Sequence, residues 1–409
     1  MIKRATCIAT AVLLTACGPG DQPGDEPVDF AAEALRIAQT SIVVDTHVDV
    51  PFRLLARPQD VSRATDSGDF DYPRAVAGGL NAPFMSIYTP ARLEGTGKSG
   101  ATADRLITLV EDIVAQSPDK FAMATSVAEV RAQFAAGLVS LPMGMENGSP
   151  LEGDIANLQH FYERGIRYLS LSHGETNHLS DSSYDESRQW HGISEFGEQV
   201  IREMNRLGIM IDVSHVSDEA FWQILDTSAV PVIASHSSAR HFTPGFERNM
   251  SDDMIVALAQ HGGVVQINFG SSFITREAQV YSSARMAAGE TYLEEHPELG
   301  EAYLYREYPA IYEAEHGPFP YASLDDVLDH FDHVVSLAGI DHVGIGSDYD
   351  GVGDTLPVGL KDVSSYPNLV AGLLRRGYSD DDIRKILGEN LLRVWAAAED
   401  YAATTSSST

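Results

Sequence analysis

Cysteine is almost missing: the 409 residues include two, Cys7 and Cys17. The body of the chain can therefore hold neither a disulfide nor a Cys-rich zinc site, and it must rely on its core. Basic residues are scarce as well, 28 Lys and Arg against 59 Asp and Glu, for a formal net charge of −31. Nucleic acid and anionic membrane surfaces both need basic patches, so neither is expected as a partner. Neither common Gly-rich phosphate loop is present, which argues against a nucleotide-binding sheet. Beyond the N-terminus no apolar run is long enough to cross a bilayer. What remains is an ordinary globular composition, 44% apolar and 21% charged.

The first residues, MIKRATCIATAVLLTAC, place Lys3 and Arg4 before a short apolar stretch that ends in Leu14-Thr15-Ala16-Cys17. This is the pattern of a secretory signal. Its ending resembles a bacterial lipobox, which implies cleavage before Cys17 and lipid attachment to it. Residues 1–16 are thus expected to be a lipoprotein signal peptide. Residues 17–29, rich in Gly, Pro and Asp, read as a flexible tether. The mature chain is expected to be exported and lipid-anchored to a bacterial membrane, facing the periplasm. Residues 30–400 read as one domain and 401–409 as a disordered tail.

Eight short apolar runs read as buried strands, at 41–47, 82–88, 140–146, 167–173, 209–215, 230–236, 263–269 and 342–348. Amphipathic helical patterns separate most of them, including 101–116, 194–208, 217–227 and 323–339, and 379–398 reads as a closing helix. Ser323 and Asp326 stand at capping-box spacing. Strand and helix alternating eight times predict an α/β fold, a closed (β/α)8 TIM-type barrel. The acidic stretch 270–320 breaks the alternation and reads as a helical insertion after strand seven, either a lid or a contact within a homodimer.

The strands end in His47 with Asp49, Glu146, His173, His215, His236 and Asp348. In a parallel barrel all these ends share the rim where catalytic residues sit. Every one of these residue types can ligate a divalent metal or move a proton. His47 and Asp49, two apart in an extended strand, point to the same face and can grip one ion. His215 and His236 end adjacent strands and can supply two nitrogens to a second, with Glu146 bridging. Imidazole and carboxylate suit zinc, and a pair of such ions supplies a bridging hydroxide and polarises a scissile carbonyl. Asp348 is placed to carry the proton to the leaving amine, with Asp350 as its competitor. The other histidines, His160, His330 and His333 among them, read as structural. His178 and His191, in the loop after strand four, stay open.

DTHVDVPFRLL, GMENGSPL, LSLSHGETN, IDVSHVSDEAFWQIL, PVIASHSSAR, RNMSDDMI and HVGIGSDYDGV together resemble the membrane dipeptidase (renal dipeptidase) family of binuclear zinc peptidases. The likeness runs from about residue 40 to 397, and IDVSHVSD…PVIASHSSAR is its most specific part. It implies a metallo-dependent hydrolase barrel that cleaves free dipeptides, often with a C-terminal D-residue, using two Zn²⁺ per subunit. His47, Asp49 and Glu146 would bind one ion, and Glu146, His215 and His236 the other. It further implies that His173 contacts the substrate at the scissile carbonyl and that Arg248 pairs with the C-terminal carboxylate. Without the resemblance, Arg248 reads as a surface ion pair. A related amidohydrolase acting on N-acyl amino acids or lactones is the nearest alternative, distinguished by what Arg248 does. A non-catalytic lipoprotein that binds a small molecule at the barrel mouth is the alternative of another class, distinguished by metal content.

Overall fold

Serine caps set where the helices begin. Ser194, Ser217 and Ser251 accept the backbone N–H of Gly197, Ala220 and Met254, opening helices Glu195–Leu207, Asp218–Thr227 and Asp252–Gln260. Each bond satisfies a donor that the first helical turn would otherwise leave orphaned. Ser323 and Asp326 form the reciprocal capping box expected for helix Leu324–Ala338. These helices alternate with short strands in the computed structural model, which describes residues 30–300 and 303–406. The expected signal peptide 1–16, Cys17 and the tether 17–29 lie outside the described residues.

Eight strands form one parallel sheet, in the order β1 (Val43–Val48), β2 (Leu80–Tyr88), β3 (Met143–Glu146), β4 (Ile166–Ser170), β5 (Met210–Asp212), β6 (Ile233–Ala234), β7 (Val264–Ile267) and β8 (Val343–Ile345). The sheet closes on itself beyond β8. Asp348 N–H donates to the His47 carbonyl at 3.1 Å, and Asp49 N–H to the Tyr349 carbonyl at 2.8 Å. This is the predicted (β/α)8 barrel. Ile42, Val44, Ala82, Phe84, Tyr168, Met210, Ile233 and Val264 form one apolar cluster with Leu391, Leu392, Val394 and Trp395 of the C-terminal helix. That helix therefore plugs the end of the barrel opposite the rim. Tyr168 fills the barrel so closely that a Cβ on Gly144 would lie 1.9 Å from its ring. Gly144 is what admits the tyrosine, and the tyrosine reaches up to the rim.

Four expectations are corrected. The run 140–146 is two strands, because Pro142 has no N–H to give a ladder. Val139–Leu141 pairs with Phe121–Met123 in a separate two-stranded sheet, while Met143–Glu146 enters the barrel. Second, the ladder stops two or three residues before His173, His215, His236 and Asp348, so these side chains stand on the loops just past the strands. Third, the closing helix is interrupted by a π-helical turn at Lys385–Glu389, where a Cβ on Gly388 would lie 2.6 Å from the Ile42 carbonyl. Fourth, helix Asn390–Ser406 continues through residues expected to be a disordered tail. The stretch 270–320 follows β7 and is helical as predicted, with helices Ser271–Ile274, Arg276–Glu295, Tyr303–Arg306 and Tyr308–His316.

His330 is fully buried on helix Leu324–Ala338. Its Nδ1 accepts the Ala239 N–H at 3.1 Å and its Nε2–H donates to the Ile274 carbonyl at 2.9 Å. Burial pushes this imidazole down to about 4. The unfolded chain takes up the proton below about 6.5 and the folded chain only below about 4, so acid favours unfolding. The contribution is complete above pH 6.5 and lost on the way down to 4, about 3 kcal/mol over that window. Urea melts at pH 7 and pH 4.5 should show this slope in the parent and a flatter one in His330→Gln. Equal slopes would remove His330 as the cause.

Candidate metal centre

Seven side chains from both ends of the barrel sequence meet at the rim. Glu146, at the end of β3, organises them. Its Oε2 lies 3.3 Å from His47 Nε2, while its Oε1 lies 3.1 Å from His215 Nε2 and 3.4 Å from both His236 Nε2 and His173 Nε2. One carboxylate thus presents each oxygen to a different set of imidazoles. His47 Nε2 also faces Asp49 Oδ2 at 3.4 Å. His215 Nε2 and His236 Nε2 point at one another 2.9 Å apart. Single donor atoms of His47, Asp49 and Asp348 fall within 4.8 Å of one another, as do those of Glu146, His173 and His215.

Four of these side chains, His47, His236, Glu146 and Asp348, are held from behind. His47 Nδ1 shares a hydrogen bond of 2.9 Å with the Tyr168 hydroxyl, which leaves Nε2 buried without a hydrogen-bond partner. His236 Nδ1 meets Ser235 Oγ at 2.7 Å, and that hydroxyl donates to Asp212 Oδ2 at 2.6 Å. Asp212 also accepts the N–H of Ser214 and of Ser235 at 2.9 and 2.8 Å, and the Ser170 hydroxyl. Ser86 donates to Glu146 Oε2 at 3.2 Å, and Asn268 to Asp348 Oδ2 at 2.8 Å. Carboxylate, hydroxyl or amide partners of this kind fix the orientation of metal ligands.

The electrostatics call for cations. Burial pushes the Glu146 carboxyl up, but the charge of His47 and His173 and the bonds from His215 and His236 outweigh it and hold Glu146 well below the usual range. Burial drives His215 and His236 well down, so both are neutral. At His47, burial opposes charge but Tyr168, Glu146 and Asp49 overcome it, so positive charge is favoured at that spot. An orphaned buried Nε2, neutral imidazoles at His215 and His236 and an ionised Glu146 fit divalent metal ions of the zinc class.

The remaining candidates separate by geometry. Burial pushes both Asp348 and Asp350 up to about 7, so the shift does not distinguish them. Asp350, however, pairs with Arg53 Nε at 2.9 Å and exchanges backbone-to-carboxylate bonds with Asp69 at 2.7 and 2.9 Å. It latches a loop, and only Asp348 reaches the cluster. Arg248 is 3% exposed, so the reading of it as a surface ion pair is wrong. Its Nη1 donates to Ser237 Oγ at 2.7 Å and its Nη2 to the His236 carbonyl at 2.9 Å, with His215 Nε2 3.0 Å away. Among the described residues no carboxylate pairs with it. His178 bonds Glu94 at 2.7 Å and His191 sits at a φ of 50°, both outside the cluster. Tyr168, Asp212, Ser235 and Asn268 were not foreseen. A lone Asp inside the apolar run IMIDVSH is the signal that Asp212 offered.

The family described as membrane dipeptidase (peptidase family M19) matches residues 31–409. A Claviceps purpurea protein named dipeptidase tcpJ is 32% identical over 345 residues, covering 83% of this chain and 71% of its own. An uncharacterized dipeptidase of Schizosaccharomyces pombe is 30% identical over 374 residues, covering 88% and 81%. Among solved structures, the probable dipeptidase PvdM of Pseudomonas aeruginosa superposes with a TM-score of 0.81 at 26% identity, covering 92% of this chain and all (100%) of that one. A Rhodobacter sphaeroides metallopeptidase, solved with a phosphinate mimic of the dipeptide L-Ala-D-Ala, gives 0.71 at 25% identity, covering 88% and 99%. The chain belongs to the membrane dipeptidase family, and it is a metallopeptidase that hydrolyses peptide bonds.

Proposed function

We propose that the protein is a zinc-dependent dipeptidase that holds two ions per subunit and takes free dipeptides, those with a C-terminal D-residue included. The observation that carries this reading is Arg248, a buried guanidinium with no carboxylate partner among the described residues, 3.0 Å from a histidine of the metal cluster. A buried unpaired charge is expensive unless a ligand completes it. A planar guanidinium matches a free α-carboxylate in two parallel bonds. The relative solved with an L-Ala-D-Ala mimic supports the D-residue.

His47, Asp49 and Glu146 would hold one ion, and Glu146, His215 and His236 the other. When bound, such ions supply an activated water at neutral pH and polarise the scissile carbonyl. The protein's own groups do the rest. Arg248 fixes the C-terminal end of the dipeptide, so the scissile carbonyl comes to lie over the histidines. His173, stacked on His215 with ring centroids 4.2 Å apart, offers a nitrogen to the oxygen that gains charge. Asp348, held by Asn268, takes the proton from the attacking water and returns it to the leaving amine. We also read the chain as exported and lipid-anchored at Cys17, on the strength of Leu14-Thr15-Ala16-Cys17 alone.

Three substitutions test this. Arg248→Ala should raise KM for L-L and L-D dipeptides at least tenfold with a much smaller change in kcat, and unchanged kinetics would end the assignment. Asp348→Asn should retain its metal by elemental analysis yet lose about 10²–10⁴ in kcat; full activity would move the proton to another group. Ser235→Ala, which breaks the link from Asp212 to His236, should weaken metal affinity about tenfold in chelator competition. An affinity equal to the parent's would show that His236 needs no support from behind.

A further inference from the structure

A second group of metal-capable side chains lies outside the rim. His330 and His333 are three residues apart on helix Leu324–Ala338. His330 points inward and holds the Ala239 N–H. His333 points outward, and its Nε2 meets Asp252 Oδ1 at 2.8 Å. The ring of His241 stacks on that of His333, with centroids 4.4 Å apart and planes 27° from parallel. One donor atom each from His241, Asp252 and His333 lies within 4.8 Å of the others. Phe242 packs beneath, 4.4 Å from the His330 ring and 5.6 Å from that of His333, so the trio sits on an apolar floor.

We propose that His241, Asp252 and His333 form a peripheral site for a zinc-class divalent cation, which fastens the segment carrying Arg248 to helix Leu324–Ala338. Two imidazole nitrogens and one carboxylate oxygen make a three-ligand set of the kind zinc accepts, with a fourth position left to water. Ligand atoms about 2.0–2.1 Å from a tetrahedral ion stand roughly 3.4 Å apart. The His241 ring is exposed, so side-chain rotation is the route by which the present spacing would tighten around an ion. A calcium-type ion is disfavoured, since it prefers oxygen ligands.

The placement gives the site a consequence. His241 and Asp252 bracket residues 242–251, which include Arg248, and His333 belongs to a helix of the barrel wall. An ion shared by all three ties both ends of that segment to one rigid element. The ion adds a constraint at both ends of the segment to the bonds that already hold the guanidinium, which lowers further the entropy lost on binding a carboxylate. Loading the peripheral site should therefore lower KM and leave kcat alone.

The binding claim does not depend on the dipeptidase reading, whereas the effect on KM does. Metal-stripped protein dialysed against zinc and counted by elemental analysis should hold one ion more than His241→Ala or Asp252→Asn treated alike. That difference of one is expected whatever number the rim itself holds. Equal counts in the parent and both variants would overturn the site. With zinc saturating, both variants should show KM for a dipeptide raised several-fold at constant kcat. A KM equal to the parent's, in variants that have lost the ion, would overturn the coupling to Arg248. If no dipeptide is hydrolysed by any form, the ion count still decides the site and the failure belongs to the functional reading.

Discussion

Glu146 is a buried carboxylate whose ionic neighbours, among the described residues, are imidazoles alone. Removing such a group from water costs several kcal/mol unless positive charge stands close by. Asp49 and Asp348 bring two more buried carboxylates to the same rim. Their proximity follows from closure of the barrel, since Asp49 leaves the first strand and Asp348 the last. The loop beyond β8 can close over them because residue 351 is glycine: a Cβ there would fall 2.2 Å from Asp348 Oδ1 and 2.3 Å from Asp49 Oδ2. Like charges held this near are tolerable only where a cation stands among them or one of the carboxyls keeps its proton. The preference for charge at His47 answers that demand, while burial and the nearby Arg248 keep His215 and His236 neutral.

The alternation of strand and helix was plain in the sequence, because burial on both faces of a parallel sheet needs apolar runs and caps need serine. The donors were legible for a related reason. A polar residue closing an apolar run stands out, and a parallel barrel brings all such residues to one face. What could not be read is how the chain turns to present them. His215 and Asp348 have φ values of 72° and 63°, a region that non-glycine residues seldom enter. Hydrophobic period says nothing about the sign of φ. The strands expected to run on to His215 and Asp348 therefore stop three residues short, and these two residues stand on strained turns beyond them. Strain at such positions persists only when surrounding bonds over-determine it. The bond from Asp348 N–H to His47 O and that from Asn268 to the Asp348 carboxylate are of this kind.

The supporting residues were invisible for a different reason. Asp212 is the one polar residue of β5 and Tyr168 lies between Arg167 and Leu169 in β4, and each acts on a side chain carried by another strand. Their meaning depends on strand order and register. Tyr168 reaches His47 across the barrel interior because Gly144 gives it room. Asp212 reaches His236 through Ser235 because β5 and β6 are neighbours, with Asp212 paired to Ile233. The same holds for Arg248, where a lone arginine in a polar loop is most often a solvated surface group. Burial is a tertiary fact, and no local pattern announces it.

Once buried, Arg248 constrains what the rim can accept. Ser237 and the His236 carbonyl fix the plane of its guanidinium, and the Phe273 ring lies 5.4 Å from its centre. The loop around it is pinned as well. Ala239 is held by His330, Arg240 by two bonds to Asp218, and Asn249 by Thr243 and the Phe273 carbonyl. A cation so fixed cannot swing out to water when the wrong ligand arrives. A substrate without a free carboxylate at that distance leaves the charge buried and unpaired, and a polar site left unpaired in this way discriminates far more strongly than an apolar pocket does. A longer peptide carries its carboxylate further from the scissile bond, so a fixed clamp beside a fixed metal cluster measures length. On the proposed reading, restriction to dipeptides would follow from the rigidity of the loop that carries Arg248 and from its spacing to the histidines.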